Sequence, residues 1–213
     1  MSKKLSPEDL QNESEFELLA VVSHKSLREF IVDQITKEKT IIRIYSVYQV
    51  IMLMLFTFIF TRGIILSIKG NHDLIVTIGW SLLFSLSALI VIHELLHALA
   101  YLGTGARKIS FGIILRKFIF YALADRQVIK SRAFHLVALT PFVTVKLICL
   151  FGIFRFYNEQ PMYFFMSVMC LHSLFCAGDI AMLAFYRLNK EKEIYNFDDR
   201  SEGKTYFYTR KIK

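Results

Sequence analysis

His93-Glu94-Leu95-Leu96-His97 sets two imidazoles and a carboxylate inside an apolar run that extends from about Leu74 to Leu102. No other Asp, Glu, Lys, Arg or His interrupts that run. A charged side chain at membrane depth costs about 2.5–3.5 kcal/mol on insertion scales. A segment that only had to cross a bilayer would carry Leu or Ala at these positions. Histidines at i and i+4 project from one face of a helix, one turn apart, so both can bind one metal ion. Glu94, beside the first of them, is placed to take a proton from a metal-activated water.

Two imidazoles do not complete such a site, because catalytic zinc usually has three protein ligands and an open position. The third ligand must come from another apolar segment at the same depth. His93 lies 20 residues beyond Asp73, and Asp179 lies 18 beyond Pro161. At about 1.5 Å per residue the two levels agree to within one turn. Gly178, just before Asp179, is expected to allow close helix approach. His172, seven residues before Asp179 on the same face, is the alternative third ligand or a hydrogen-bonding partner of the site. Cys176 on that face is a further thiolate candidate. Asp179 could instead pair with Lys146 or an arginine at the inner interface.

The elements that must position these groups are apolar. The 213 residues are 54% hydrophobic and 15% aromatic, with mean hydropathy +0.44. Four blocks are long enough to cross a bilayer of about 30 Å, near residues 44–68, 73–103, 134–154 and 161–188. Lys146 in the third block must snorkel or face protein. Pro141 in the same block is expected to kink its helix and free backbone carbonyls, giving room beside the metal for a substrate strand. Between the second and third blocks, Ile109, Phe111, Ile113 and Leu115 alternate with Lys108, Ser110 and Gly112, and Phe118–Tyr121 follows. That period predicts a hairpin.

The expected fold is therefore an all-α integral membrane protein with about four transmembrane helices and a cytoplasmic β-hairpin-like insertion between spans 2 and 3. Residues 1–43 read as a cytoplasmic helical segment opened by Ser6-Pro7-Glu8-Asp9. Residues 44–188 form the membrane domain, and 189–213 a charged, poorly ordered cytoplasmic tail.

Charge sets the orientation. Of 26 Lys and Arg, seven lie in residues 1–43, seven in 104–133 and eight from Arg187 onward. The positive-inside rule then puts both termini and the middle loop in the cytoplasm. Attraction to anionic lipid accounts for the net charge of +8, and no nucleic-acid partner is expected. The first residues carry neither an h-region nor a cleavage site, so the first block is expected to serve as its own insertion signal. Cys149, Cys170 and Cys176 all fall in apolar blocks and suggest no disulfide framework.

His93-Glu94-Leu95-Leu96-His97, the hairpin-like loop, Leu139-Thr140-Pro141-Phe142 and Ala177-Gly178-Asp179-Ile180 together resemble the putative zincin peptidases, membrane proteins of the domain-of-unknown-function class. Those are similar in turn to site-2 proteases, the intramembrane zinc metalloproteases. The resemblance covers about residues 40–190. It implies one zinc ion on His93, His97 and Asp179, with Glu94 as general base. It also implies a multi-pass protein, expected in a bacterial cell membrane, that cleaves a membrane-protein or peptide substrate. The chain departs from the site-2 protease pattern before its last motif. There His172-Ser173-Leu174-Phe175-Cys176-Ala177-Gly178-Asp179 replaces an Asn/Pro-rich segment, and Ile180 follows the aspartate. The expected function is a zinc-dependent intramembrane or juxtamembrane endopeptidase. The alternative is a catalytically inactive metal-binding membrane scaffold or regulator, although a purely structural site would not need Glu94.

Overall fold

A computed structural model describes residues 5–114 and 119–211. The expected loop residues Leu115 and Phe118 lie outside that range. Eight α-helices and six strands follow one another in the described chain. The long helices α3 (Thr40–Ile68) and α6 (Ser131–Arg155) match the first and third apolar blocks. Both are long and apolar enough to cross a membrane. The second and fourth blocks each break in two. α4 (Asp73–Leu86) meets α5 (Ala88–Gly103) at a bend of 43°, and α7 (Gln160–Phe175) meets α8 (Ala177–Leu188) at a bend of 44°. The described residues thus hold two such helices, or up to four if each bent pair counts as one span.

Each bend has a local cause. At Ser87 the backbone leaves helical space, with φ −125° and ψ −89°. Its hydroxyl bonds back to the Leu83 carbonyl and its amide to that of Phe84, a back-bonding pattern that bends helices. At Cys176 the break leaves the Ser173 carbonyl without its usual amide partner. Two side chains of α3 replace it: the Tyr45 hydroxyl and the Gln49 Nε2, the latter at 2.7 Å. The α6–α7 contact is close enough that a Cβ on Gly152 would fall 2.5 Å from the Phe165 ring.

The fold is not all-α. The N-terminal segment contains β1 (Phe16–Ser23) between a four-residue helix α1 (Pro7–Leu10) and α2 (Leu27–Lys37). The expected poorly ordered tail instead forms β5 (Ile194–Asp199) and β6 (Lys204–Arg210). With β4 (Ile129–Lys130) these strands build an antiparallel sheet in the order β1-β6-β5-β4. Phe16 pairs with Arg210 at one end of β1 and Ser23 with Lys204 at the other, with a bulge between Leu18 and Ala20.

Both faces of this sheet are covered, which is why its strands are stable. Tyr195, Phe197 and Tyr208 bury against Leu10 and Phe16. On the other face Phe207 and Ile194 bury against Phe185 and Tyr186 of α8, with Phe30 of α2 packed alongside. The expected hairpin is present as β2 (Ile109–Ile114) and β3 (Ile119–Ala124), paired antiparallel with Phe111 opposite Ala122. Just beyond it Arg126 bonds Asp199 at 3.0 Å and Glu8 at 2.7 Å, tying the loop to the sheet. The N-terminal segment, the 104–133 loop and the C-terminal strands thus meet at one end of the helices. At the other end Gln160 Nε2 bonds Thr77 Oγ1 at 2.7 Å.

Candidate metal centre

The ligand candidates sit on the two helices that follow the bends. α5 carries His93 and His97 on one face, and α8 carries Asp179 in its first turn. His93 Nε2 lies 3.1 Å from His97 Nε2. Asp179 Oδ2 is 3.2 Å from the former and Oδ1 is 3.2 Å from the latter. Both imidazoles are buried and Asp179 is half-buried. Donors held at about 2.0–2.1 Å by one tetrahedral zinc ion stand roughly 3.3–3.4 Å apart, close to these separations.

The outward nitrogens of both rings are occupied. His97 Nδ1 bonds the Val137 carbonyl at 3.0 Å. A carbonyl only accepts, so Nδ1 carries the proton, and the neutral ring presents an unprotonated Nε2. His93 Nδ1 meets His172 Nε2 at 3.1 Å, and His172 Nδ1 lies 3.6 Å from Cys176 Sγ. For His93 to offer Nε2 to a metal ion its proton must sit on Nδ1, donated to His172 Nε2, with His172 Nδ1–H then directed at the thiol. In that tautomer of both rings two lone pairs and a carboxylate face one another, an arrangement that a cation relieves. Asp179 Oδ2 accordingly has no hydrogen-bond donor among the described residues, despite its nearness to His93 Nε2.

A second grouping that could hold a metal ion is His93, His172 and Cys176. It would use Nδ1 of His93, the ring nitrogen turned away from His97 and Asp179. The contacts there are those of a hydrogen-bond chain, and His172 is fully buried. His172 therefore touches the site through His93 and stands away from the cluster itself. Lys146 does not pair with Asp179. Its Nζ bonds the Met169 carbonyl at 2.6 Å and lies 5.1 Å from the centre of the Tyr48 ring. The three cysteines are free and buried. Gly178 does not serve a close helix contact: a Cβ there would meet nothing within 4 Å among the described residues. It lines a cavity instead.

That cavity, about 650 Å³, is bounded by the four polar residues of the site, by Leu27, Ile31 and Ile35 of α2, and by Phe120, Tyr121 and Ala122 of β3. Glu94 points into it. Its Oε2 is buried without a hydrogen-bond partner among the described residues, and the Ala122 amide lies against the carboxyl group. Sequence reasoning missed the Val137 carbonyl and the Ala122 amide, because backbone groups leave no mark in residue identity. The one available signal was Pro141, four residues after Val137.

Comparisons with curated proteins and with solved structures give no match. Among protein families, residues 86–195 match the one described as "Putative zincin peptidase". The matched segment holds the histidine pair, Glu94, the hairpin, Pro141 and Asp179, and it spans more than half of the chain. By that match the chain belongs to the putative zincin peptidase family.

Proposed function

We propose that the protein is a zinc-dependent endopeptidase that hydrolyses peptide bonds of membrane proteins within or beside the bilayer. The observation that carries this reading is the convergence of His93, His97 and Asp179 at one point, with Glu94 beside them in a cavity walled by a strand. In this reading His93 Nε2, His97 Nε2 and the Asp179 carboxylate hold one zinc ion. When bound, zinc supplies Lewis acidity, polarising the scissile carbonyl and acidifying water.

The remaining steps belong to the chain's own groups. Glu94 accepts the proton of the water that attacks the carbonyl carbon. It then delivers that proton to the amide nitrogen as the C–N bond breaks. His172 and the Val137 carbonyl keep the two imidazoles in the orientation the ion requires. An extended substrate segment lies along β3, where backbone pairing supplies affinity. A helical substrate must unwind first, since its carbonyls are already bonded.

The four apolar blocks are taken as four spans, two of them bent, with both termini and the 104–133 loop cytoplasmic. The meeting of those three charged segments at one end of the helices supports this orientation. In this orientation the site lies near the inner membrane surface.

The test uses purified full-length wild type and Glu94→Gln in lipid, comparing bound zinc and cleavage of single-span substrate proteins. Both are expected to hold one zinc ion, with cleavage falling about 10²–10⁴-fold in the variant. Equal cleavage by the two proteins would overturn the peptidase reading. Zinc binding with no role for Glu94 would instead favour a metal-binding scaffold.

A further inference from the structure

The Val137 carbonyl is available to His97 because of the residue four positions later. In a continuous helix the amide of residue 141 donates to the carbonyl of residue 137. Residue 141 is Pro, inside the unbroken helix α6. Proline has no N–H, and its ring presses on the carbonyl four residues back. Val137 and Pro141 are both buried, so water cannot readily claim that carbonyl. The neighbouring hydroxyl does not claim it either, since Thr140 Oγ1 bonds the Leu136 carbonyl at 2.7 Å. His97 Nδ1 takes it, at 3.0 Å. With the Nδ1 proton committed to that carbonyl, the neutral ring keeps Nε2 bare, 3.1 Å from His93 Nε2 and 3.2 Å from Asp179 Oδ1.

We propose that Pro141 is a positioning residue for the metal centre: by withholding one backbone N–H it reserves the Val137 carbonyl for His97 and fixes that ring in its ligating tautomer. The proposal rests on the metal reading above, so its test reads the ring directly as well as the metal. In the metal-free full-length protein, the ¹⁵N spectrum of labelled His97 is expected to show Nδ1–H and a bare Nε2. Pro141→Ala returns an N–H that competes for the Val137 carbonyl. It is expected to populate the other tautomer and to weaken zinc binding, measured by chelator competition, about 10–100-fold. An ester at that position, made by incorporating the α-hydroxy analogue of alanine, again lacks the N–H and is expected to restore both readouts.

An Nε2–H tautomer in the metal-free wild type would overturn the proposal, as would a Pro141→Ala protein matching wild type in both tautomer and zinc affinity. If Pro141→Ala does not fold, the wild-type spectrum and the ester variant decide the matter. Failure of wild type to bind zinc, with a tautomer that still shifts in Pro141→Ala, would sink the metal reading while supporting the role of Pro141 in holding the ring.

Discussion

At the scale of single residues, the centre divides into groups that face the proposed ion and groups that face those groups. Asp179 lies 3.2 Å from each histidine's Nε2, whereas His172 reaches only the far nitrogen of His93. The two positions should therefore fail differently. Asp179→Ala is expected to abolish stoichiometric zinc. His172→Ala is expected to retain one zinc per chain at saturation and to lose about 10–100-fold in affinity. Metal analysis and chelator competition on the two variants separate the roles, and complete loss of zinc in His172→Ala would make it a ligand. Spacing showed the His93–His97 pair because i and i+4 is a helical period. Depth counting narrowed the third ligand to one face of the last block. It put Asp179 level with His93 and His172 about two turns further out, and His172 stayed open as the alternative because side-chain reach across a helix bend is not a function of residue number.

At the scale of elements, both helices that carry the site's ligands begin at a break. α5 and the start of α8 each follow a bend, at Ser87 and at Cys176, and the Tyr45 and Gln49 side chains cap the carbonyl that the second break exposes. The hairpin supplies the cavity's other wall. If β3 receives substrate through its backbone, Ala122→Pro removes the amide that lies against Glu94. That change is expected to lower kcat/KM about 10–100-fold with zinc content unchanged, since small displacements at a reacting centre cost this much. Unaltered cleavage would remove β3 from the substrate site. The hairpin's alternation was legible in the residues. The strands of the tail were not, because Asp198, Asp199, Arg200, Glu202 and Lys204 put charge at the end of one strand, in the turn and at the start of the next. Their aromatic residues nevertheless form the inner faces of a covered sheet. Phe207 is fully buried between α2 and α8. Phe207→Ala is therefore expected to destabilise the fold by about 3–5 kcal/mol, measurable by denaturant unfolding in detergent.

At the scale of the whole molecule, one end of the helical assembly is closed by a layer drawn from both termini and the middle loop. Asp199 is a tie point of that layer. Hydrogen bonds from Ser201 and the nearby amides, with the Arg126 guanidinium, hold its carboxyl below the usual carboxylate range. A depressed carboxyl stabilises the folded state above its unfolded pKa, and that contribution is lost as pH falls through the folded value. Asp199→Asn is expected to lower Tm at neutral pH, and the gap from wild type to close under strongly acidic conditions. A gap independent of pH would show that the carboxylate's charge is not what matters there. Removing metal with a chelator should also lower Tm, by an amount that grows with the logarithm of the zinc affinity, because zinc would bind the assembled site and not the separated residues.

The sequence by itself determined the parts governed by local periodicity and composition. These are the apolar blocks, the histidine pair with its glutamate, the hairpin's alternation and the uneven distribution of basic residues along the chain. Each follows from residues a few positions apart sharing a face, or from the cost of placing charge in hydrocarbon. The tertiary structure decided what depends on distant segments meeting. The tail becomes a sheet because Phe16 and Phe207 can be buried only when the two ends of the chain pair. His172 backs His93, and does not join the cluster, because of where α7 bends. The Val137 carbonyl becomes part of the centre because packing sets α6 against α5, so a missing N–H in one helix is answered by an imidazole on another.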